Sequence, residues 1–179
     1  MSAPGSTASL RTANQHRVVD AIRAGNELSQ AEISRLTELA PATVSNIVRV
    51  LSTAGFLEQT AGSGRRGATV RISRQAGLVA GVDFGHSHIQ VSLGDLAGQL
   101  IATKARPLDN DHAHDDVLAL AHRLLDGLLD DLPSGHGDLR AVGVGLPSPI
   151  GRSGVIDSGS ILPGWVDATR PPSLAASAV

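Results

Sequence analysis

The sequence predicts two units of different class, a small α+β unit followed by an α/β unit. Three observations carry this. Apolar residues recur at helical spacing three times before residue 55, then alternate in two short stretches around a glycine-rich tip. From residue 78, alternating stretches lead into one long amphipathic segment and a final apolar run. The charge divides at the same place: residues 1–79 hold nine arginines against five acids, while residues 80–179 hold six basic side chains against twelve acids. A basic half joined to an acidic half suits a polyanion reader attached to something else.

Composition narrows the classes further. With 41% apolar residues and a net charge of -2, the chain can bury a core and is not a disordered polymer. No apolar run approaches the ~18 residues a spanning helix needs, and MSAPGSTASLRT lacks a signal pattern, so a cytoplasmic protein without a membrane partner is expected. The absence of cysteine removes disulfides, thiolate zinc sites and thiol nucleophiles.

Residues 1–9, small and polar with a Pro-Gly pair, are expected to form a disordered tail. Val18, Val19 and Ile22 place a first helix of about three turns from Thr12 to the stop signal Gly25-Asn26. Ser29-Gln30-Ala31-Glu32 reads as a capping box that starts a second helix carrying Ile33 and Leu36. Thr37 to Ala40 is the turn, and Pro41 suits the first position of a third helix, where its missing N–H would be unpaired anyway. Val44, Ile47, Val48 and Leu51 form that helix's buried stripe, and Gly55 ends it. Residues 56–60 and 68–72 read as two strands around a tip that carries Arg65 and Arg66. Three helices, a tight second turn and a two-stranded wing make a winged helix-turn-helix over residues 10–75.

The face of the third helix opposite its stripe presents Ala42, Thr43, Ser45, Asn46 and Arg49. Asn46 suits an adenine edge, Arg49 a guanine or a phosphate, and Thr43 and Ser45 suit phosphate oxygens. Arg65 and Arg66 suit an adjacent minor groove. Taken singly, each is an ordinary exposed side chain. Their combination in this order of elements points to a double-stranded DNA operator as partner.

The second unit is expected over residues 78–179: strands at 78–85, 89–93 and 100–105, a helix at 115–132 and a buried parallel strand at 141–146. His112, His114, Asp115 and Asp116 precede that helix in a polar stretch and read as solvated loop, so no metal site is expected.

Several segments resemble the ROK family (repressor, open reading frame, kinase) of transcriptional regulators. They are Leu10 to Val18, Leu28 to Ile33, Pro41 to Ser45, Gly64-Arg65-Arg66-Gly67, Gly81 to His88, Val142 to Pro149 and Ser160 to Trp165, in the family's order. The resemblance implies that the second unit is a partial ribonuclease-H-like lobe of the actin/hexokinase ATPase type. It implies a repressor of carbohydrate-related genes, a homodimer on a two-fold operator, and a sugar or sugar-phosphate effector. Asp83, Gly85 and Ser87 fall where the family's sugar kinases hold ATP phosphates, but His86 stands where a second glycine belongs, and its ring would meet the phosphate. Pro147, Ser148 and Trp165 fall beside the family's sugar cleft, although as turns with Trp165 anchoring a core they need no ligand. The family's catalytic aspartate and cysteine-rich zinc motif would lie past residue 179, so neither catalysis nor a cofactor is expected. The alternatives are a sugar kinase with an added domain, and a decayed fragment of a regulator.

Overall fold

The computed structural model describes residues 7–61, 67–108 and 114–147. The chain divides into two compact units, Met1–Ala76 with Leu96–Gly98, and Gly77–Asp95 with Gln99–Val179. In the first unit, α1 (Thr7–Gly25) is followed by β1 (Leu28–Ser29), α2 (Gln30–Thr37), α3 (Pro41–Thr53), β2 (Leu57–Thr60) and β3 (Thr69–Ile72). The sheet has the order β1-β3-β2, antiparallel throughout.

Helix α1 begins at Thr7, not Thr12, so residues 7–9, expected in a disordered tail, are helical. Burial of Val18 and Ile22 anchors the helix, and once a turn exists each residue added upstream gains a hydrogen bond without a new nucleation cost. No proline or glycine interrupts the run from Thr7 to Ala24.

The capping box forms as read. Glu32 donates its amide to the Ser29 hydroxyl at 3.3 Å, and the Ser29 amide donates to the Glu32 carboxylate at 2.8 Å. Ser29 thereby serves two elements, the end of β1 and the cap of α2. After Thr37 the chain turns through Glu38 in the left-handed region (φ 55), and Ser34 ties the turn by donating to the Leu39 carbonyl at 2.6 Å. Pro41 takes the first turn of α3. Gly55 (φ +74) closes α3 in a Schellman arrangement, with Phe56 donating to Leu51 and Gly55 to Ser52. The core gathers Val18 and Ile22 from α1, Ile33 from α2, Val44, Ile47 and Val48 from α3, and Leu57, Val70 and Ile72 from the sheet.

In the second unit, β4 (Leu78–Phe84), β5 (His88–Asp95) and β6 (Leu100–Pro107) form an antiparallel meander, followed by α4 (His114–Asp130) and β7 (Leu139–Gly145). The order β6-β5-β4-β7 sets β7 parallel to β4. Alternation sends Ala80, Val82, Phe84, Ile89, Val91 and Leu93 onto Val117, Ala121, Leu124, Leu125 and Leu128 of α4. Lys104 reaches the same helix, donating to the Gly127 carbonyl and the Asp131 carboxylate, each at 2.7 Å. Among the described residues, no helix is long and apolar enough to cross a membrane.

Because the α2 cap carries both bonds of the box, Ser29→Ala should lower the stability of the first unit by about 1 kcal/mol, and Ser29→Gly by only a few tenths. Urea unfolding followed at 222 nm checks this; equal losses for the two variants would refute the cap as the cause.

Candidate nucleic-acid interface

The buried side of α3 determines what its other side offers. With Val44, Ile47 and Val48 in the core, Ala42, Ser45, Asn46 and Arg49 lie exposed and Thr43 is half-buried. Arg49 donates from Nη2 to Asn46 Oδ1 at 2.8 Å, one turn apart on the same face. The bond occupies the Asn46 amide oxygen, so its two N–H donors are not engaged by Arg49. Helix α3 contains no carboxylate that would repel a polyanion. The structure thus brings all five α3 residues to one helix as read. Arg65 and Arg66 lie outside the described residues.

The base of the wing holds a cluster that local sequence did not reveal. The Glu27 carboxylate accepts from the Thr60 hydroxyl at 2.6 Å and from the Thr69 hydroxyl, and the two threonines, cross-strand partners, lie 2.7 Å apart. The hydroxyl of Thr60, then that of Thr69, holds the Glu27 carboxyl below its ordinary range against a small desolvation cost, and the Arg71 charge adds to the lowering. The cluster joins the turn after α1 to both strands where they leave for the tip. Its only signal in the sequence is a threonine at each end of the tip, because Glu27 stands 33 residues from Thr60.

The second unit offers another end-of-strand site. Asp83 and Gly85 stand at the carboxyl end of β4, and Gly145 at the carboxyl end of β7 pairs with Asp83. A side chain at Gly145 would press on the Asp83 carboxylate at 3.0 Å. Past Gly85 the chain turns sharply: its amide donates to the His88 carbonyl at 2.8 Å, and any side chain at Gly85 would run into the His88 imidazole. His88 Nε2 lies 3.6 Å from Asp83 Oδ2. The ring that lies over Gly85 is therefore that of His88, while His86 and Ser87 are exposed. Pro147 is half-buried two residues beyond β7; Ser148 and Trp165 lie outside the described residues.

Comparison with known proteins agrees with both units. A family model described as MarR family matches residues 11–67. Two Caldicellulosiruptor proteins named for xylose repression are 25% identical over 162 residues and 24% identical over 157 residues. The first match covers 88% of this chain and 40% of the relative, the second 86% and 38%. The xylose repressor of Bacillus subtilis (strain 168) is 23% identical over 150 residues, covering 80% of this chain and 38% of its own. A solved ROK-family transcriptional regulator, described as a homologue of the E. coli MLC protein, superposes with a TM-score of 0.55 at 20% identity, covering 82% of this chain and 38% of that one. The chain is thus similar over most of its length to xylose repressors and to the fold of a ROK-family regulator. It spans about two fifths of the length of the curated relatives it matches. The superposition gives the second unit a mixed α/β fold that fits part of an actin/hexokinase-like lobe, as the sequence suggested.

A carboxyl held below its ordinary range stabilises the fold above its unfolded pKa, and that contribution disappears as the pH falls through the folded value. Glu27→Gln should therefore be less stable than the parent near neutrality, with the gap in Tm closing as the pH falls below the ordinary glutamate range and through the lowered folded value. Thermal melts across that window test the sign; a gap that widens on acidification would refute it.

Proposed function

We propose that this ROK-family chain is a sequence-specific, DNA-binding repressor of sugar-related genes, with residues 10–75 as reader and residues 78–179 as part of a sensor lobe. One observation carries the reading: a winged helix whose carboxylate-free α3 exposes the bonded pair Asn46 and Arg49 beside Ser45 and Thr43. In the major groove, Asn46 donates to a purine edge, Arg49 orients it and reaches a guanine or phosphate, and Thr43 and Ser45 hold phosphate oxygens. Arg65 and Arg66 at the wing tip serve the neighbouring minor groove. The partner is a double-stranded operator, bound in the cytoplasm by a homodimer whose two-fold axis the operator shares.

The names of the xylose repressors favour a sugar or sugar phosphate as effector, taken at the carboxyl end of the parallel strands near Pro147, Ser148 and Trp165. Phosphoryl transfer is not part of this function. A phosphate at the turn after β4 needs free backbone donors, and the Gly85 amide is engaged by the His88 carbonyl beneath the His88 ring.

Fluorescence anisotropy with duplexes from the promoter of the chain's own gene tests the reading. The parent chain should prefer one fragment over random duplex, and Asn46→Ala should erode that preference by about 1–3 kcal/mol while leaving random-duplex binding nearly intact. Equal affinity for every duplex, lost as salt rises, would sink it.

A further inference from the structure

Helix α1 carries a periodicity that its packing does not explain. Its core stripe runs back from Ile22 to Val18 at helical spacing, and the same stripe continues to Gln15, Asn14 and Arg11. The C-terminal half of the stripe is apolar and fully buried. Its N-terminal half is polar, with Asn14 and Gln15 half-buried and Arg11 exposed. Polar side chains on a face that periodicity assigns to the core sacrifice burial and call for a partner.

The place where the stripe changes character is a groove of about 290 Å3 between α1 and α3. Arg11, Asn14 and Gln15 form one wall, and Thr43 and Asn46 of the candidate interface stand on the other. No acid lines the groove, α1 has none before Asp20, and α3 has none at all. Leu10, 60% exposed, also lines the groove with Ile47 and Val50 and gives an apolar surface for a sugar ring. One guanidinium, several amide and hydroxyl donors, no carboxylate and an apolar edge together match a deoxyribose-phosphate strand.

We propose that the N-terminal half of α1 is a second wall of the DNA-binding surface, where the strand bordering the groove read by α3 seats a phosphate against Arg11, Asn14 and Gln15. The proposal rests on the DNA-binding reading above and extends it to a helix with no assigned contact. Arg11 supplies charge, and Asn14 and Gln15 supply neutral donors that fix the register of α3 without reading bases.

Two variants of the full chain test it, each titrated over a range of salt against a 30-base-pair duplex of random sequence and a promoter fragment. Arg11→Ala should weaken both duplexes by a similar factor and make the plot of log affinity against log salt shallower by about 0.9, one phosphate contact. Asn14→Leu completes the apolar stripe, so its melting temperature should hold or rise while affinity for both duplexes falls about tenfold. A parent-like slope for Arg11→Ala with parent-like affinity for Asn14→Leu, while Asn46→Ala still erodes sequence preference, overturns this inference and leaves the DNA-binding reading standing. Failure of the parent chain to bind either duplex overturns both.

Discussion

Burial of Val44, Ile47 and Val48 is the constraint on which the first unit depends. Once those three side chains are in the core, the rotation of α3 about its axis is fixed, and so is the identity of every residue it turns outward. The short turn through Glu38 and the Ser34 bond set where α3 starts relative to α2. The Schellman closure at Gly55 sends the chain directly into β2, whose first residue, Leu57, is still in the core. Asn46 and Arg49 are thus held on a rigid element rather than a loop, which suits groups that must meet an edge within a fraction of an ångström.

What the sequence made legible was local or periodic. The capping box, Pro41, the stripe of α3 and the alternation of β4 and β5 each announce themselves within a few residues. The start of α1 at Thr7 has no local signal, because helix propagation needs no apolar residue of its own. Strand β1 carries no sequence signal because two residues cannot display a period of two; the pairing of Leu28 with Val70 and of Ser29 with Thr69 makes it a strand. The Glu27 cluster was illegible for a related reason, since three residues far apart in the chain meet only when β2 and β3 pair. The five α3 residues could be placed from spacing alone, whereas the wing arginines depend on a tip that periodicity does not describe.

The turn after β4 shows how a single side chain can change what a fold offers. In the sequence, His86 is the expected obstacle, because it stands where a glycine would let the backbone meet phosphate. In the structure, a different residue lies over the turn: His88 opens β5, and its ring covers Gly85 while its carbonyl takes the Gly85 amide. The Gly85 amide, already bonded to the His88 carbonyl, has no donor to offer a phosphate. Asp83 remains exposed beside Gly145, so the carboxyl end of β4 and β7 keeps polar character without that donor.

Small domains have little core to spare. A unit of this size buries a smaller fraction of its surface than a larger domain and is correspondingly marginal. Against that, α1 uses stripe positions for Asn14, Gln15 and Arg11, where leucine or isoleucine would extend the packing already made by Val18 and Ile22. Each buried aliphatic side chain forgone is worth roughly 1.5–3 kcal/mol. The cap on α2, the Schellman closure and the Glu27 cluster each restore part of that loss at the edges of the unit, where a ligand does not have to fit. Stability is thus concentrated at turns and strand ends, and the faces of α1 and α3 that flank the groove keep the polar groups that a charged strand requires.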